Sequence, residues 1–558
     1  MAAFAGMGLG ATALPGVIWG RLQETQEATL TASMINDAAR VAGVEFTDEE
    51  LELMVDDLNR TLEAYEELRS VDIPNGVAPA VRFDPVLPGT SFPSDSTVFR
   101  YTRPRGIERP ARLEDVAFWP VTSLAELVRT RQVSSTELTE MYLGRLRRHG
   151  PTLECVITLT EELAMRQAAR ADAEMARGHY RGPLHGIPWG AKDLLAEDEY
   201  RTTWGAKPYE NQHIFEDSTV GKRLDEAGAV LVAKLTLGAL AQGDVWYGGR
   251  TNNPWNLEQG SSGSSAGSAS SVVAGLVGFT IGSETLGSIV SPSTRCGASG
   301  LRPTFGRVSR AGAMALSWTM DKLGPICRSA EDCALVLHAI HGADGIDATA
   351  RDVAFDWDPG RPISDLRIGY YRAGFDQAAE DGGEDAGFAL ASLEWLRSMG
   401  VDPIPVEPPE DLPINAMRLI LNAEAGAAFD ELSRSGRDDL LVRQTGGAWP
   451  NTFRKARMIP AVDYIQANRL RTIAMQRFET AMEGVDIVIT PSFGMLLLTN
   501  LTGHPQVVVP NGYRSENGTP TSISFVGKLF GDAEALRLAK AYQDATDFHR
   551  KTPPLFTD

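Results

Sequence analysis

The stretch GSSGSSAGSASS, residues 260–271, decides how the rest of the chain is interpreted. Seven of its twelve residues are serine, a composition that is typical of a flexible linker. It lies in the middle of the chain, however, and continues directly into VVAGLVGFTIG, residues 272–282, an apolar run that is expected to be buried. A linker and a rigid segment with a chemically active serine are therefore both open at this point.

The composition is that of a globular protein with an ample core. The chain has 558 residues, of which 43% are hydrophobic and 23% charged. Its formal net charge of −20 argues against a nucleic-acid or anionic-membrane partner, because phosphate binding needs a basic surface. Cys155, Cys296, Cys327 and Cys333 lack the spacing of a zinc site, so we expect no metal and buried free thiols, unless an exported chain pairs Cys327 with Cys333.

The first residues form an uncharged apolar segment that ends at Arg21. Glycine, alanine and Pro15 make it a weak membrane span, and it resembles the apolar part of a secretory signal with a small-residue cleavage site at residues 11–13. It lacks a basic start, so a simple apolar helix is the alternative. We expect residues 1–21 to be an export signal and the mature chain to be periplasmic or secreted, without stable membrane insertion. The chain is cytoplasmic if this segment is no signal.

Residues 22–117 are predicted to be an extension that precedes the main domain. TDEE, residues 47–50, has the pattern of a capping box at the start of a helix. Five prolines and no helical period in residues 71–95 predict an extended strap. From residue 118 onwards, helical patterns alternate with short apolar strands such as VITLT, residues 156–160, which predicts an α/β fold with helices on both faces of a sheet.

Two helices at the start of the main domain have recognisable boundaries. SLAE, residues 123–126, and SSTE, residues 134–137, are typical of helix starts. Gly150 and Pro151 follow a basic run and predict the end of the second helix. These boundaries place both helices before the first predicted strand.

One interpretation of the serine stretch takes GSSAG, residues 263–267, as a G-x-S-x-G elbow with Ser265 as the nucleophile. That motif requires a strand immediately before it. The preceding residues 250–260, RTNNPWNLEQG, contain asparagine, proline and glycine, which a buried strand does not tolerate. His504 is available as a downstream base, but a single histidine carries little information. We therefore favour a pattern that includes more of the chain.

Motifs over residues 118–550 together resemble the amidase signature family. The serine stretch continues through TLGSIVSPSTRCG into GLRPTFGRVS, and GPLHGIPWGAKDLL, residues 182–195, is similar to the family's lysine segment. Further matches follow in the family's order: YGGRTNNPWN (247–256), DKLGPICRSAEDCALVL (321–337), VDYIQANRLR (462–471), VDIVITPS (485–492) and TNLTGHPQVVVPNG (499–512). The resemblance implies a single large catalytic domain over residues 118–558, with a central mixed, twisted β-sheet.

The resemblance also implies a Ser–Ser–Lys triad in which a cis peptide bond precedes the middle serine. Matched position by position, the nucleophile is Ser288, the bridging serine is Ser264 and the base is Lys192. Ser265 and Ser268 belong to the same stretch but not to the triad.

The surroundings of Lys192 suit a base. A serine hydroxyl is a poor nucleophile until a base takes its proton, and a lysine can act as that base only when burial keeps it neutral. Lys192 is flanked by apolar residues in IPWGAKDLL, residues 187–195. Lys234 has a similar setting in VLVAKLTL, and we expect it to close the end of a strand by hydrogen bonds.

The oxyanion of the reaction would be held by backbone N–H groups of Thr285, Leu286, Gly287 and Ser288, again by resemblance. The chain departs from the family here, because Glu284 replaces an aspartate and Leu286 replaces the first of two glycines. A glycine commonly permits an unusual backbone angle, so the leucine bears on the geometry of this turn.

Two features bear on the substrate. Many family members carry an arginine three residues after the nucleophile, which in some meets a substrate carboxylate, whereas this chain has Ser291. We therefore expect a neutral or apolar substrate rather than a small carboxylate-bearing amide. Trp318 and Met320 lie in a segment that family members place near the site, so they either line the pocket or belong to the core beneath it.

The predicted function is hydrolysis of a carboxylic amide, or of a related ester or carbamate, through an acyl-enzyme on Ser288. It needs no cofactor or metal, and the expected partner is a small-molecule amide, with homodimerisation left open. The alternative is the A subunit of a glutamine-dependent tRNA amidotransferase, in which the same triad releases ammonia from glutamine. The signal-like segment, the extension and the missing arginine favour the hydrolase. A binding protein with a degraded triad is disfavoured, because all three triad residues are present.

Overall fold

A computed structural model describes residues 30–71, 73–77, 79, 81–409 and 411–557. In chain order its strands are β1 (Val156–Leu159), β2 (Pro188–Lys192), β3 (Val230–Leu235), β4 (Val245–Trp246), β5 (Gly249–Arg250), β6 (Asn252–Asn253), β7 (Asn256–Gly260), β8 (Phe279–Glu284), β9 (Ser299–Arg302), β10 (Lys322–Cys327), β11 (Ile368–Tyr371), β12 (Ile404–Val406), β13 (Ile487–Pro491), β14 (Gln506–Tyr513) and β15 (Pro520–Gly527).

The α-helices of the described residues surround these strands. They are α1 (Ala32–Ala42), α2 (Asp48–Arg69), α3 (Val121–Arg129), α4 (Ser135–Leu153), α5 (Glu161–Ala176), α6 (Thr219–Glu226), α7 (Ala266–Val273), α8 (Val290–Cys296), α9 (Ala330–Ile340), α10 (Arg372–Asp381), α11 (Gly383–Ser398), α12 (Leu419–Ala428), α13 (Asp430–Arg434), α14 (Trp449–Ala456), α15 (Ala461–Ala481), α16 (Leu496–Thr502) and α17 (Asp532–Thr546).

Eleven strands form one mixed sheet in the order β1-β3-β2-β8-β10-β9-β14-β15-β13-β11-β12. Strand β2 is parallel to both β3 and β8, and β11 is parallel to β12 and β13, whereas the other neighbours are antiparallel. Helices flank the sheet and pack into two buried hydrophobic clusters. The predicted α/β fold with a large mixed sheet is confirmed.

The central helix α7 explains why the serine stretch is no linker. All eight of its residues are buried, and the hydroxyl of Ser268 donates to the Ile281 carbonyl of β8 at 3.1 Å. Small side chains let this helix lie directly on the sheet, and their hydroxyls bond backbone carbonyls in the absence of water. The composition that resembles a spacer therefore serves close packing.

The predicted helix boundaries are met in part. Ser134 and Glu137 form the predicted capping box of α4. The prediction that Ser123 caps α3 is wrong, because the helix begins at Val121, where Pro120 has the extended geometry of an N-cap. Helix α4 also continues through Pro151 to Leu153, since a proline in the last turn removes only one backbone hydrogen bond.

The extension preceding the main domain contains a helical pair and a strap. The Thr47–Glu50 capping box begins α2 as predicted, and α2 packs against α1. The strap contacts the main domain through aromatic side chains: Phe83 lies 5.1 Å from Phe305 between ring centroids, and Phe92 lies 4.9 Å from Phe530.

The signal-like segment, residues 1–21, lies outside the described residues, so its predicted role stays a prediction. No helix in the described part of the chain is both long and apolar enough to span a membrane. The four cysteines are free and buried.

Candidate active site

The loop between β7 and α7 brings the serine stretch to the centre of the sheet. Ser262 adopts a φ of +60°, and the peptide bond between Gly263 and Ser264 is cis. A Cβ atom on Gly263 would lie 1.8 Å from the Gly243 carbonyl oxygen, so only glycine fits at this position. The loop is thus fixed by close backbone contact.

Lys192 is the last residue of β2, and its side chain ends among three serine hydroxyls. Its Nζ lies 2.8 Å from Ser264 Oγ, 3.0 Å from Ser265 Oγ and 2.9 Å from Ser283 Oγ. The lysine is fully buried, and Ser264 is almost completely so. The structure therefore brings two of the three predicted triad residues into direct contact.

The environment of Lys192 favours the neutral amine. Burial lowers the pKa of Lys192 well below its usual value, although the carboxylates of Asp321 and Glu284 act in the opposite direction. None of its hydrogen-bond partners carries a charge, so no ion pair compensates the free-energy cost of removing the ammonium from water. A neutral amine can accept a proton from a neighbouring hydroxyl.

Ser265 is unsuited to the role of nucleophile. Its hydroxyl donates to the Ser283 carbonyl at 3.1 Å and accepts a hydrogen bond from the Ser283 N–H at 3.1 Å. The single proton of this hydroxyl is thereby committed to the backbone of β8. Ser265 is also completely buried, which excludes it from contact with a substrate.

Ser288 lies in the turn between β8 and α8. Its carbonyl accepts a hydrogen bond from the Ser265 N–H at 3.1 Å, and its side chain lines a cavity. Among the described residues no group hydrogen-bonds to the Ser288 hydroxyl, so the Ser264–Ser288 link of the predicted relay is not formed here. Catalytic hydrogen bonds commonly tighten only when substrate is bound.

The turn that carries Ser288 presents unused N–H groups. Those of Thr285, Leu286, Gly287 and Ser288 donate to no acceptor within the described parts of the chain. Gly287 provides the left-handed conformation, with a φ of +82°, whereas Leu286 does not have a positive φ. The leucine in place of the family's first glycine is therefore compatible with the turn.

Glu284 stabilises this turn by hydrogen bonds to its backbone, a role that the sequence did not reveal. Its Oε2 accepts hydrogen bonds from the N–H groups of Ile289 and Val290 at 2.8 and 3.0 Å, and its Oε1 pairs with Arg302 at 3.1 Å. Burial opposes ionisation of this carboxyl, but the positive charge of Arg302 prevails and lowers the pKa of Glu284 to about 2. An acidic residue at the end of a buried strand, four residues before the nucleophile, was the available signal.

A cavity of about 590 Å³ adjoins Ser288. It is lined by Ala241, Gln242, Gly243, Gly263, Thr285, Leu286, Ser288, Leu316, Arg418, Leu419, Leu421, Asn422, Gly447, Trp449, Thr452, Lys455, Ala456 and Ile459. Two of these residues are cationic and none is acidic. Within the described chain, neither Arg418 nor Lys455 forms an ion pair.

The predicted pocket residues Trp318 and Met320 do not line this cavity. Met320 is fully buried in the hydrophobic core, and Leu316 of the same segment lines the cavity instead. The segment is a loop whose side chains follow no period, so the sequence indicated its proximity but not which side chain faces the site. Ser291, in the position of the family's arginine, pairs with the hydroxyl of Ser262 at 2.7 Å.

Lys234, the other lysine with apolar flanks, has the structural role expected of it. Its Nζ lies 2.9 Å from the Asp193 carboxylate and 2.9 Å from Thr202 Oγ1. Across the described residues, no group of three or more histidine, cysteine, aspartate or glutamate side chains is arranged to hold a metal ion.

Comparison with known proteins decides the family. The model of the amidase family matches residues 137–499, which is most of the chain. The chain belongs to the amidase family. It is 31% identical to the A subunit of the glutamyl-tRNA(Gln) amidotransferase of Marinomonas sp. (strain MWYL1), over 78% of this chain and 98% of the relative. The corresponding protein of Roseiflexus sp. (strain RS-1) is 34% identical, over 76% and 96%.

Solved structures, a peptide amidase among them, share the fold. The native peptide amidase of Stenotrophomonas maltophilia is 27% identical, with a TM-score of 0.65 over 78% of this chain and 98% of that one. A component of a vestigial complex related to an s-triazine catabolic enzyme is 25% identical, with a TM-score of 0.70 over 76% and 98%. This amidase-family chain is therefore an enzyme of amide C–N bond chemistry, as a hydrolase or an amidotransferase.

Proposed function

We propose that the chain is a serine amidase that hydrolyses a carboxylic amide to acid and amine through an acyl-enzyme on Ser288. The observation that carries the proposal is the contact of 2.8 Å between the buried Lys192 amine and the Ser264 hydroxyl, beside a turn with four unused N–H groups. In this proposal Lys192 is the base, Ser264 is the proton relay and the turn is the oxyanion site for the hydroxyl of Ser288, which borders the cavity.

In the first half of the reaction, Ser288 Oγ attacks the amide carbon. Its proton passes to the Ser264 hydroxyl while Ser264 gives its own proton to Lys192 Nζ. The negative charge that develops on the carbonyl oxygen is stabilised by N–H groups of the turn 285–288. When the tetrahedral intermediate collapses, the C–N bond breaks, and the proton returns from Lys192 through Ser264 to the leaving nitrogen.

In the second half, water replaces the amine. It attacks the acyl ester while its proton travels through Ser264 to Lys192, and the resulting intermediate releases the acid. The proton then returns to Ser288 Oγ, which restores the starting state. Esters are cleaved by the same steps with an alcohol as the leaving group, and carbamates by the same steps with a carbamoyl or alkoxycarbonyl group held on Ser288 Oγ.

The alternative is the A subunit of a glutamine-dependent amidotransferase, which the names of the relatives favour. Both functions use the same triad, so the geometry at Ser288 does not separate them. The hydrolase is preferred because it requires only this chain, and because residues 30–117 add an extension before the region that the family model matches.

The test is activity of the purified chain alone. Peptide amides, anilides, aliphatic amides, carbamates, esters and free glutamine are assayed in parallel, with Ser288→Ala as the inactive control. We expect turnover of at least one amide by the isolated chain and no turnover by the variant. Glutamine hydrolysis that appears only after the partner proteins of an amidotransferase are added would favour the alternative.

A further inference from the structure

Through Asn75, the strap contacts Ala315, the neighbour of the cavity-lining residue Leu316. The Asn75 carboxamide pairs with both backbone groups of Ala315: Oδ1 accepts from the Ala315 N–H at 2.7 Å, and Nδ2 donates to the Ala315 carbonyl at 2.9 Å. Nδ2 also lies 3.4 Å from the carbonyl of Ala428, the last residue of α12. One side chain thus joins two segments that are far apart in the chain.

The apolar side chains on either side of Asn75 are largely exposed, although Ile73 borders a second cavity that it shares with Trp204 and Phe429. Ile73 is 64% exposed and Val77 is 55% exposed, whereas Asn75 is half-buried. Exposed apolar neighbours contribute little to holding a segment in place, since they remain in water. The hydrogen bonds of Asn75 are therefore the specific connection at this point of the strap.

The segment held by Asn75 leads directly to the oxyanion turn. Leu316, next to Ala315, lines the cavity, and the N–H groups of Leu316 and Ser317 donate to Asp321 Oδ2 at 2.8 and 2.9 Å. The other oxygen of Asp321 accepts from Thr285 Oγ1 at 2.5 Å. A shift of Ala315 would therefore move Leu316 and with it the wall of the cavity.

The same side chain also contacts the last residue of α12, a helix whose first turn lines the cavity. Helix α12 lines the cavity with Leu419, Leu421 and Asn422. Its Glu424 accepts a hydrogen bond from Ser317 Oγ at 2.6 Å, which ties the helix to the Leu316 segment from the inside. Asn75 links the same two segments through Ala315 and Ala428, so their separation is fixed at two places.

We propose that Asn75 is a positioning residue of the amide-hydrolysing site, which sets the width of the cavity and thereby the size of substrate that it accepts. The inference rests on the proposed function, and it places a determinant of specificity in the strap, before residues 137–499 that the family model matches. Asn75 acts through Ala315 and does not touch the reacting atoms.

The experiment compares Asn75→Ala with Val81→Ala, a strap variant at an 81% exposed side chain. For the best amide found with the wild type, Asn75→Ala should raise KM about tenfold, the equivalent of one or two hydrogen bonds, and change kcat less than about twofold. The midpoint of the pH profile should not move, because the hydrogen-bond partners of Lys192 are Ser264, Ser265 and Ser283, none of which contacts Asn75. For bulkier amides, Asn75→Ala should raise KM less than it does for the best substrate. Val81→Ala should have the KM and kcat of the wild type.

An unchanged KM in a folded Asn75→Ala enzyme would overturn the inference. An equal increase in KM for small and bulky amides would overturn it as well. If Asn75→Ala does not fold, Asn75→Asp is measured instead, since it keeps the acceptor for the Ala315 N–H but loses the donor. Labelling of Ser288 by a small fluorophosphonate separates the two hypotheses. Wild-type enzyme without labelling contradicts the proposed function, whereas labelled variants with wild-type KM contradict only the role of Asn75.

Discussion

At the residue scale, Lys192 is an amine among hydroxyls rather than an ammonium among carboxylates. Its Nζ contacts Ser264, Ser265 and Ser283, and burial lowers its pKa. The folded enzyme therefore binds fewer protons at this site than a lysine in water does. The base is active above its lowered pKa and inactive below it.

This environment predicts the pH dependence of the enzyme. The value of kcat/KM should rise with pH through the lowered pKa of Lys192 and then level off, because only the neutral amine accepts a proton. Lys192→Met should reduce kcat/KM at pH 7 by about 10³-fold and remove that limb of the profile. Lys207→Met, at an exposed lysine paired with Glu210, is the control and should behave like the wild type. A Lys192→Met enzyme with full activity would exclude the base.

Ser264 and Ser265 are adjacent and both contact Lys192, yet they should differ as variants. Ser264→Ala removes the proposed relay and should lower kcat by about 10²- to 10⁴-fold, with little effect on the temperature of unfolding. Ser265→Ala leaves the Ser283 N–H without its acceptor, so it should lower stability by about 1–3 kcal/mol and kcat much less. Steady-state kinetics and calorimetry on both variants measure this. The reverse order of kcat losses would assign the relay to Ser265.

At the scale of elements, the turn between β8 and α8 depends on a buried ion pair. Glu284 accepts hydrogen bonds from the N–H groups of Ile289 and Val290 at the start of α8, and its negative charge is paired with Arg302. Helix starts favour a carboxylate, and the cation stabilises this one in the absence of water. The turn is therefore held in shape before substrate arrives, which is a condition for stabilising an oxyanion.

The ion pair predicts acid sensitivity. Because the folded-state pKa of Glu284 is about 2, below the ordinary 4.5, its contribution to stability is present above pH 4.5 and is lost as the pH falls towards 2. Glu284→Gln leaves Arg302 buried without its partner, so it should be destabilised by about 3–5 kcal/mol at pH 7. The difference from the wild type should shrink below pH 4.5 in urea unfolding. A constant difference over this pH range would show that the charge of Glu284 is not responsible.

At the scale of the whole molecule, an acidic protein surrounds a cavity with cations in its wall. The chain has a net charge of −20, whereas Arg418 and Lys455 line the cavity and no carboxylate does. The sequence led us to expect a neutral or apolar substrate from Ser291 alone. From the two cations of the lining we expect instead that amides bearing a negative charge are preferred.

Matched anilides that differ only in a carboxylate or an ammonium test this. The carboxylate should give the higher kcat/KM, and Lys455→Gln should reduce the preference about threefold or more, in line with a partly exposed charge contact. Arg469→Gln changes an exposed arginine that contacts Gln466 outside the cavity, and it should leave the preference intact. A higher kcat/KM for the ammonium substrate would contradict the assignment.

A feature could be predicted from the sequence where it depends on residues that are close together in the chain. The α/β fold follows from the alternation of helical and strand patterns, and the roles of Lys192 and Ser264 follow from the resemblance of short motifs to the amidase signature family. The pocket does not, because α12 and α14 line it from distant parts of the chain, and the loop of Trp318 and Met320 has no period in its sequence. The contact of Asn75 with Ala315 spans 240 residues and has no signature in either segment.

Export stays a prediction at this scale, since residues 1–21 lie outside the described part of the chain. Fractionation of cells that produce the full chain would locate the protein, and N-terminal sequencing would show whether residues 11–13 mark a cleavage site. A full-length protein in the cytoplasm would contradict an export signal.

The central claim is that Ser288, and no serine of the stretch 260–271, forms the acyl-enzyme. The most direct measurement is mass spectrometry of peptides from the enzyme after reaction with a fluorophosphonate. The account predicts one adduct, on Ser288, that is lost in Ser288→Ala and retained in Ser291→Ala, a control three residues away. An adduct on Ser264 or Ser265, or labelling that persists in Ser288→Ala, would contradict it.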